Sequence, residues 1–259
     1  MHGQIENQKA LQESILLIGP MGTGKSTVGK LLAQKFPNLQ RIKVDEYRWR
    51  FFEKYTDYSR EKEKIIRQEK GFRGVYEYWK KYEAALVMAG LKNINASSII
   101  DFGAGQSVYE DPRMLVDVQR AFSGAKNVFL ILPSEDKEEC KKQLQERMER
   151  RQYKGMFERN SPRLTEEQRI SERVEVTPDE LAINNHFIDS PSNYTLATHI
   201  IYTNGADARE VAEAIAAVYE GRELSKESKI KVVENSRRVV RKPRSKNNEE
   251  LNQENEEIE

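Results

Sequence analysis

The chain has 259 residues, enough for one α/β domain with an appended tail, and 33% of them are charged. Its 43 basic and 42 acidic side chains nearly cancel, so no overall basic excess argues for a nucleic-acid partner. The single cysteine, Cys140, excludes an internal disulfide and a cysteine-based metal site, and no apolar run approaches the roughly 20 residues that span a bilayer, so the reading is a soluble, cytoplasmic protein.

Residues 1–13 are polar and read as a loose, flexible N-terminus. A folded unit is expected over residues 14–221, starting with the apolar run Ser14-Ile15-Leu16-Leu17-Ile18, which has strand length. Gly19-Pro20-Met21-Gly22-Thr23-Gly24-Lys25-Ser26-Thr27 follows, a full match to G-x-x-x-x-G-K-[ST]. Beyond it Val28, Leu31, Leu32 and Phe36 share one helical face. Strand, glycine-rich loop and helix in that order form a phosphate-binding loop. Glycines let successive backbone amides point at one phosphate, and the helix N-terminus adds partial positive charge. Gly19, Gly22, Thr23, Gly24, Lys25, Ser26 and Thr27 are therefore the expected ATP-binding residues. Lys25 would reach the β- and γ-phosphates, and the Ser26 hydroxyl would ligate Mg²⁺.

After a break at Pro37-Asn38, Arg41-Ile42-Lys43-Val44 reads as a second strand ending at Asp45. A carboxylate at that sheet edge can orient an acceptor hydroxyl and take its proton; it can equally cap the helix that begins near Glu46. Aromatic residues crowd 47–55, and charges fill 60–70 as on a solvated helix, which Gly71 interrupts. Val75, Trp79, Tyr82, Leu86 and Ala89 then predict a packed helix over 72–90. Ser97-Ser98-Ile99-Ile100-Asp101-Phe102 predicts a buried strand, with Asp101 in the position of a Walker-B aspartate and thus a candidate Mg²⁺ partner alongside Ser26. Gly103-Ala104-Gly105 follows, and Asp111-Pro112 opens a further helix.

Asn127–Pro133 gives the clearest strand, followed by a helix running to about Arg151. Residues 150–178 read as a lid or insert, in which Arg150, Arg151, Arg159 and Arg163 are candidates to close over a γ-phosphate. A short helix begins near Pro178, the last strand is His199–Thr203, and Val211, Ala212, Ile215, Val218 and Tyr219 mark a final helix. Residues 222–259 read as a charged, disordered tail able to hold a protein partner. His2, His186 and His199 show no metal-ligand spacing.

The stretch Ile18 to Ala33, including Pro20-Met21 inside the loop, resembles the opening of the shikimate kinases. The resemblance extends over roughly residues 14–132. Asp45 lies about where that family holds an Asp-x-Asp pair. Gly71-Phe72-Arg73 matches its Gly-Phe-Arg, which implies that Arg73 grips a substrate carboxylate, and Gly103 and Gly105 match glycines that line the acceptor pocket. Arg159-Asn160-Ser161-Pro162-Arg163-Leu164 resembles the family's lid arginine and the residues after it. Two departures stand out. Lys43 replaces the first aspartate of the pair, and Pro191-Ser192-Asn193-Tyr194 carries no arginine where the family completes carboxylate binding.

Alternating strands and helices imply an α/β P-loop NTPase fold, a central parallel sheet of about five strands flanked by helices. Analogy with the nucleoside-kinase-like group implies strand order 2-3-1-4-5, and the resemblance implies transfer of the ATP γ-phosphoryl group, with Mg²⁺, to a hydroxyl of a small anionic metabolite. Lys25 and Asp45 are the expected catalytic residues, and Asp45, Arg73, Gly103 and Gly105 the expected substrate residues. Adenine is favoured because Thr203-Asn204-Gly205-Ala206-Asp207 lacks the lysine of the guanine-reading motif. The rival readings are a nucleotide-dependent switch acting through a protein partner, and a kinase of a larger acceptor such as a nucleotide sugar or a nucleic-acid end.

Overall fold

Strand β1 (Ile15–Ile18) has no exposed side chain: all four residues are 0% accessible. A strand covered on both faces has to be apolar at every position, which is why this run shows no alternation. Its odd and even positions serve different cores. Ile15 and Leu17 pack with Val28 and Leu32 of helix α2 (Lys25–Lys35) and with Val211 and Ile215 of a late helix, while Leu16 and Ile18 face an aromatic-rich cluster on the other side. In the computed structural model, which describes residues 2–150 and 177–235, β1 lies between β3 (Ser98–Asp101) and β4 (Asn127–Leu132), parallel to both.

The outer partners are β2 (Gln40–Lys43) beside β3 and β5 (His199–Tyr202) beside β4, again parallel. The sheet order is β2-β3-β1-β4-β5-β6, so its first five strands run 2-3-1-4-5. The remaining helices are α1 (His2–Gln12), α3 (Arg48–Phe52), α4 (Arg60–Lys92), α5 (Pro112–Phe122), α6 (Lys137–Arg150), α7 (Pro178–Asp189), α8 (Pro191–Leu196) and α9 (Ala208–Tyr219). Among the described residues, no helix is long and apolar enough to cross a membrane.

The sixth strand, β6 (Lys231–Glu234), corrects the reading of everything past residue 221 as a tail. It pairs antiparallel with β5, Ile230 is buried before it, and Val232 and Val233 pack on opposite faces. The Asn235 side chain then donates to the carbonyls of Tyr194 (2.6 Å) and Ala197 (3.1 Å). An edge strand needs few apolar residues because its free side faces water, so composition alone reads it as polar coil. The N-terminus is corrected for a similar reason. Residues 1–13, read as loose, contain α1, which buries Ala10 and Leu11 and whose Asn7 amide donates to the carbonyls of Leu91, Lys92 and Ile94 at 3.3, 2.9 and 2.7 Å. Those carbonyls lie at and just beyond the C-terminal end of α4, where helix geometry leaves them unpaired. Residues 236–259 and most of the 150–178 segment, including Arg151, Arg159 and Arg163, lie outside the described residues.

Helix α4 joins the two segments read as a charged helix and a packed one, and Gly71 is the break between them, with φ 64° and ψ −162°. That conformation suits glycine, and a side chain there would collide with the Asp179 carboxylate of α7. The kink thus lets α7 approach α4 closely, against one wall of the site described below.

A chain ending at residue 225 is expected to be less stable than one ending at Asn235. Loss of β6 uncovers Ile230, Val232, Val233 and the edge of β5, about 2–4 kcal/mol for a few partly and fully buried aliphatic side chains. At roughly 2–4 °C per kcal/mol for a domain of this size, thermal denaturation should show a fall of about 5–15 °C. Equal midpoints would show that β6 adds nothing to the sheet.

Candidate active site

The loop between β1 and α2 has positive φ at Gly19 (135°), Gly22 (82°) and Gly24 (90°). Gly24 caps α2, and open space lies where its Cβ would stand. The amides of Thr27 and Val28 are the first to turn inward, both onto the Gly24 carbonyl at 3.0 and 2.9 Å. The amides before them belong to the N-terminal turn, which has no intrahelical acceptor for them. The loop and the helix N-terminus therefore present donors and partial positive charge to an anion. The hydroxyl-bearing residues Ser26 and Thr27 are exposed on the same turn.

Lys25 is buried at the centre of this loop, its Nζ donating to the carbonyls of Gly19 (2.7 Å) and Pro20 (2.8 Å). Burial lowers its pKa to about 8, against the opposing pull of the Asp101 and Asp45 carboxylates. Asp101 ends β3 and is 5% exposed. Its Oδ2 accepts from Arg41 Nη2 at 3.1 Å, and the same nitrogen donates to the Ser26 carbonyl at 2.7 Å. The two residues expected to hold Mg²⁺ are thus already linked through Arg41. The sequence reading passed over Arg41, whose signal is only its place in β2, two residues before the Lys43 that pairs in register with Asp101.

Asp45 sits in a 3₁₀ turn (Val44–Tyr47) directly after β2. Its Oδ1 accepts from Arg48 Nη2 (2.7 Å) and Gln106 Nε2 (3.2 Å). It lies against Gly103 so closely that a Cβ on Gly103 would overlap the carboxylate. Arg48 Nη2 also donates to Glu83 at 3.0 Å, and Glu83, 2% exposed, lies 3.1 Å from Lys80 Nζ. Lys80 in turn donates to the carbonyls of Gly105 (2.5 Å) and Val108 (2.8 Å). Asp45, Arg48, Glu83 and Lys80 therefore form one chain of charges of alternating sign, joining the turns after β2 and β3 through α3 and α4.

A cavity of about 270 Å³ opens beside this chain. Its wall includes Met21 of the phosphate loop, Ala104 and Gly105 of the turn after β3, and Trp49, Phe72 and Trp79. The arginines in the wall are Arg48 and Arg67, neither singled out by the sequence reading. Arg73, read as the carboxylate-gripping residue, is a correction. Its side chain is 71% exposed and pairs with Glu77 at 3.1 Å on the outer face of α4. The reason is helical rotation. At 3.6 residues per turn, Phe72, Tyr76 and Trp79 share the inward face, while Arg73 and Glu77 point away from it. Asn193, where a second arginine fork was absent, is buried; it accepts from Ser107 Oγ (2.6 Å) and donates to the Phe187 carbonyl (2.7 Å), tying α8 to the site's floor.

A further contact reaches the phosphate loop from far along the chain. The buried Asn184 side chain of α7 accepts from the Met21 amide at 2.7 Å and donates to the Met21 carbonyl at 3.2 Å. Helix α7 opens with a capping box between Thr177 and Glu180, and its Phe187 contributes to the cavity wall. One short helix thus touches both the loop and the cavity.

Residues 15–175 match the family model described as an AAA domain. Among solved structures, the chain is similar to a shikimate kinase from Acinetobacter baumannii in complex with shikimate, at 20% identity over 84% of this chain and 99% of that one, with a TM-score of 0.48. It is also similar to the tunicamycin resistance protein of Deinococcus radiodurans, at 15% identity over 82% of this chain and 96% of that one, with a TM-score of 0.44. No curated protein matches the sequence.

Asn184→Ala leaves the buried Met21 amide without its partner, which costs about 1–3 kcal/mol. A lower thermal midpoint and faster hydrogen exchange at Met21 are expected. Unchanged exchange would mean that α7 does not hold the loop.

Proposed function

The chain belongs to the AAA domain family, and on that footing we propose that it is a kinase that transfers the γ-phosphoryl group of ATP, with Mg²⁺, to a hydroxyl of a small molecule seated in the cavity. The observation that carries this reading is the shared wall. Met21 belongs both to the phosphate loop and to the wall of a cavity whose lining includes Arg48, the partner of Asp45. A switch that only hydrolyses nucleotide has no need of an aromatic-lined chamber at that point.

The donor set fits a nucleotide phosphate chain. It combines a buried ammonium, a helix N-terminus and three positive-φ glycines, of which Gly24 opens onto free space. Bound ATP supplies the transferable phosphoryl group, and Mg²⁺ neutralises charge on its phosphates. Lys25 would leave the Gly19 and Pro20 carbonyls for a phosphate oxygen. Ser26 Oγ and Asp101 would serve the metal, with Arg41 giving up its hold on Asp101. Among the described residues no group of three or more His, Cys, Asp or Glu side chains is arranged to bind a metal, which suits Mg²⁺ carried largely by phosphates and water. Asp45 would orient the acceptor hydroxyl and take its proton, with Arg48 and Gln106 fixing the carboxylate. Arg159 and Arg163 would serve as lid arginines, a role that rests on the sequence alone.

The test is ATP consumption by the purified chain, which should be negligible until an acceptor is added. Lys25→Ala should lower acceptor-dependent transfer by a factor of at least about 10²–10³, the scale of removing one transition-state charge partner, with the thermal midpoint kept. Acceptor-independent hydrolysis that a protein partner changes would overturn the kinase reading.

The pKa of Lys25 sets a pH dependence. Below about pH 8 the free protein carries the Lys25 charge; as pH rises through that value the charge is lost. A bound polyanion favours the charged form, so binding of a non-hydrolysable ATP analogue above pH 8 should take up a proton. Affinity should therefore fall as pH rises through about 8. Calorimetry in buffers of different ionisation enthalpy measures the uptake. Proton release, or none, would remove Lys25 from phosphate binding.

A further inference from the structure

The acceptor cavity carries more charge than it offers to a ligand. Two guanidinium groups, Arg48 and Arg67, and three carboxylates, Glu63, Glu83 and Glu180, stand in its wall. Each already has a partner within the protein. Arg48 lies between Asp45 (2.7 Å) and Glu83 (3.0 Å). Burial works against its charge, and Asp45, Glu83 and Glu63 outweigh that effect, holding the guanidinium above its ordinary pKa. Glu63 accepts from the Tyr58 hydroxyl (3.0 Å) and the Trp79 indole (3.1 Å) and pairs with Arg67 at 3.7 Å. Glu180 is held by the Thr177 amide and hydroxyl at 2.9 and 3.2 Å.

The polar handles of the rings are engaged as well. The Trp79 indole serves Glu63, and the Tyr76 hydroxyl donates to Glu110 at 2.8 Å. The rest of the lining is apolar or aromatic: Met21, Trp49, Phe72, Tyr76, Trp79, Ala104 and Phe187, with Arg48 lying over the Trp79 ring (5.1 Å) and Arg67 over Phe72 (5.6 Å). Trp49 and Trp79 meet edge to face at 5.3 Å, Phe72 meets Trp79 at 6.2 Å, and Tyr76 and Phe187 pack at 5.3 Å.

We infer that the acceptor is an uncharged alcohol borne on an apolar ring, and that this cavity selects against a carboxylate on that ring. The inference rests on the reading of the cavity as the acceptor site. Its cause is desolvation. A carboxylate brought inside loses its hydration and meets guanidinium groups that protein carboxylates already neutralise. An apolar ring, by contrast, gains contact with aromatic side chains in edge-to-face and offset arrangements.

Trp49 and Trp79 are the only two tryptophans of the chain and both face the cavity, so intrinsic tryptophan fluorescence reports its occupancy. The full chain, without nucleotide, is titrated with benzyl alcohol and with 4-(hydroxymethyl)benzoate, which differ only by the carboxylate. Benzyl alcohol should give a saturable change, and the benzoate should bind at least about tenfold more weakly. Equal or tighter binding of the benzoate overturns the inference, as does the lack of a saturable response to benzyl alcohol. Glu63→Gln keeps an acceptor for Tyr58 and Trp79 but relieves Arg67 of an opposing charge. It should narrow the gap between the probes severalfold; an unchanged ratio overturns the electrostatic cause. Phosphoryl transfer is scored separately. A ring alcohol that binds yet never stimulates ATP consumption counts against the kinase reading and leaves the ligand class standing. ATP consumption driven by the benzoate alone does the reverse.

Discussion

The Arg48 guanidinium, held between Asp45 and Glu83, is the interaction on which the site's geometry rests. It joins the turn after β2 to the middle of α4, and through Glu83 and Lys80 it reaches the turn after β3. Removing Arg48 would take a charged partner from both Asp45 and the buried Glu83, and breaking such a buried pair costs about 3–5 kcal/mol. The arrangement is also stiff. Asp45 rests against Gly103, so no side chain can fit between the carboxylate and the turn that carries Gly105. Arg48 further lies over the Trp79 ring at 5.1 Å, which couples the charge chain to the aromatic wall of the cavity.

The phosphate loop is held from behind by a helix more than 150 positions away in the chain. Asn184 takes both polar groups of the Met21 peptide, the same residue that forms part of the cavity wall. Lys25 meanwhile is satisfied by its own loop's carbonyls, so the loop keeps a defined shape around a buried cation. The arrangement is pre-organised for an anion but not strained by waiting for one, because the ammonium has acceptors in either case. Helix α7 touches both the loop and the cavity wall, so displacement of Phe187 has a direct mechanical route to Met21.

Much of this was legible in the chain because it is local. Strand, glycine turn and helix occupy consecutive residues from Ile15 to Lys35, and the fully apolar β1 announces a sheet covered on both faces. Gly71 was legible as a break for the same reason, and the capped start of α7 lay close to where Pro178 suggested. The elements missed are those whose stability comes from docking. Helix α1 has no apolar stripe of its own, and β6 is an edge strand with only Val232 and Val233 to show; asparagine side chains at positions 7 and 235 fasten both to distant carbonyls. The site residues divide the same way. Arg73 was read from the match of Gly71-Phe72-Arg73 to a family motif, but one step along a helix from the inward-facing Phe72 turns a side chain by about 100°, and among the described residues the arginines that face the cavity are Arg48 and Arg67.

The sequence by itself determined the phosphate loop, the alternation of strands and helices, and the positions of Lys25 at a helix start and of Asp45 and Asp101 at or just after strand ends, because each depends on residues within a turn or two of one another. Only the tertiary structure decided which charges face inward, that Arg41 spans Ser26 and Asp101, that Asn184 clamps Met21, and that α1 and β6 dock onto the fold. Those contacts join residues tens to more than a hundred positions apart. No local pattern records which of many similar arginines or asparagines will meet a given partner once the sheet and its helices have closed.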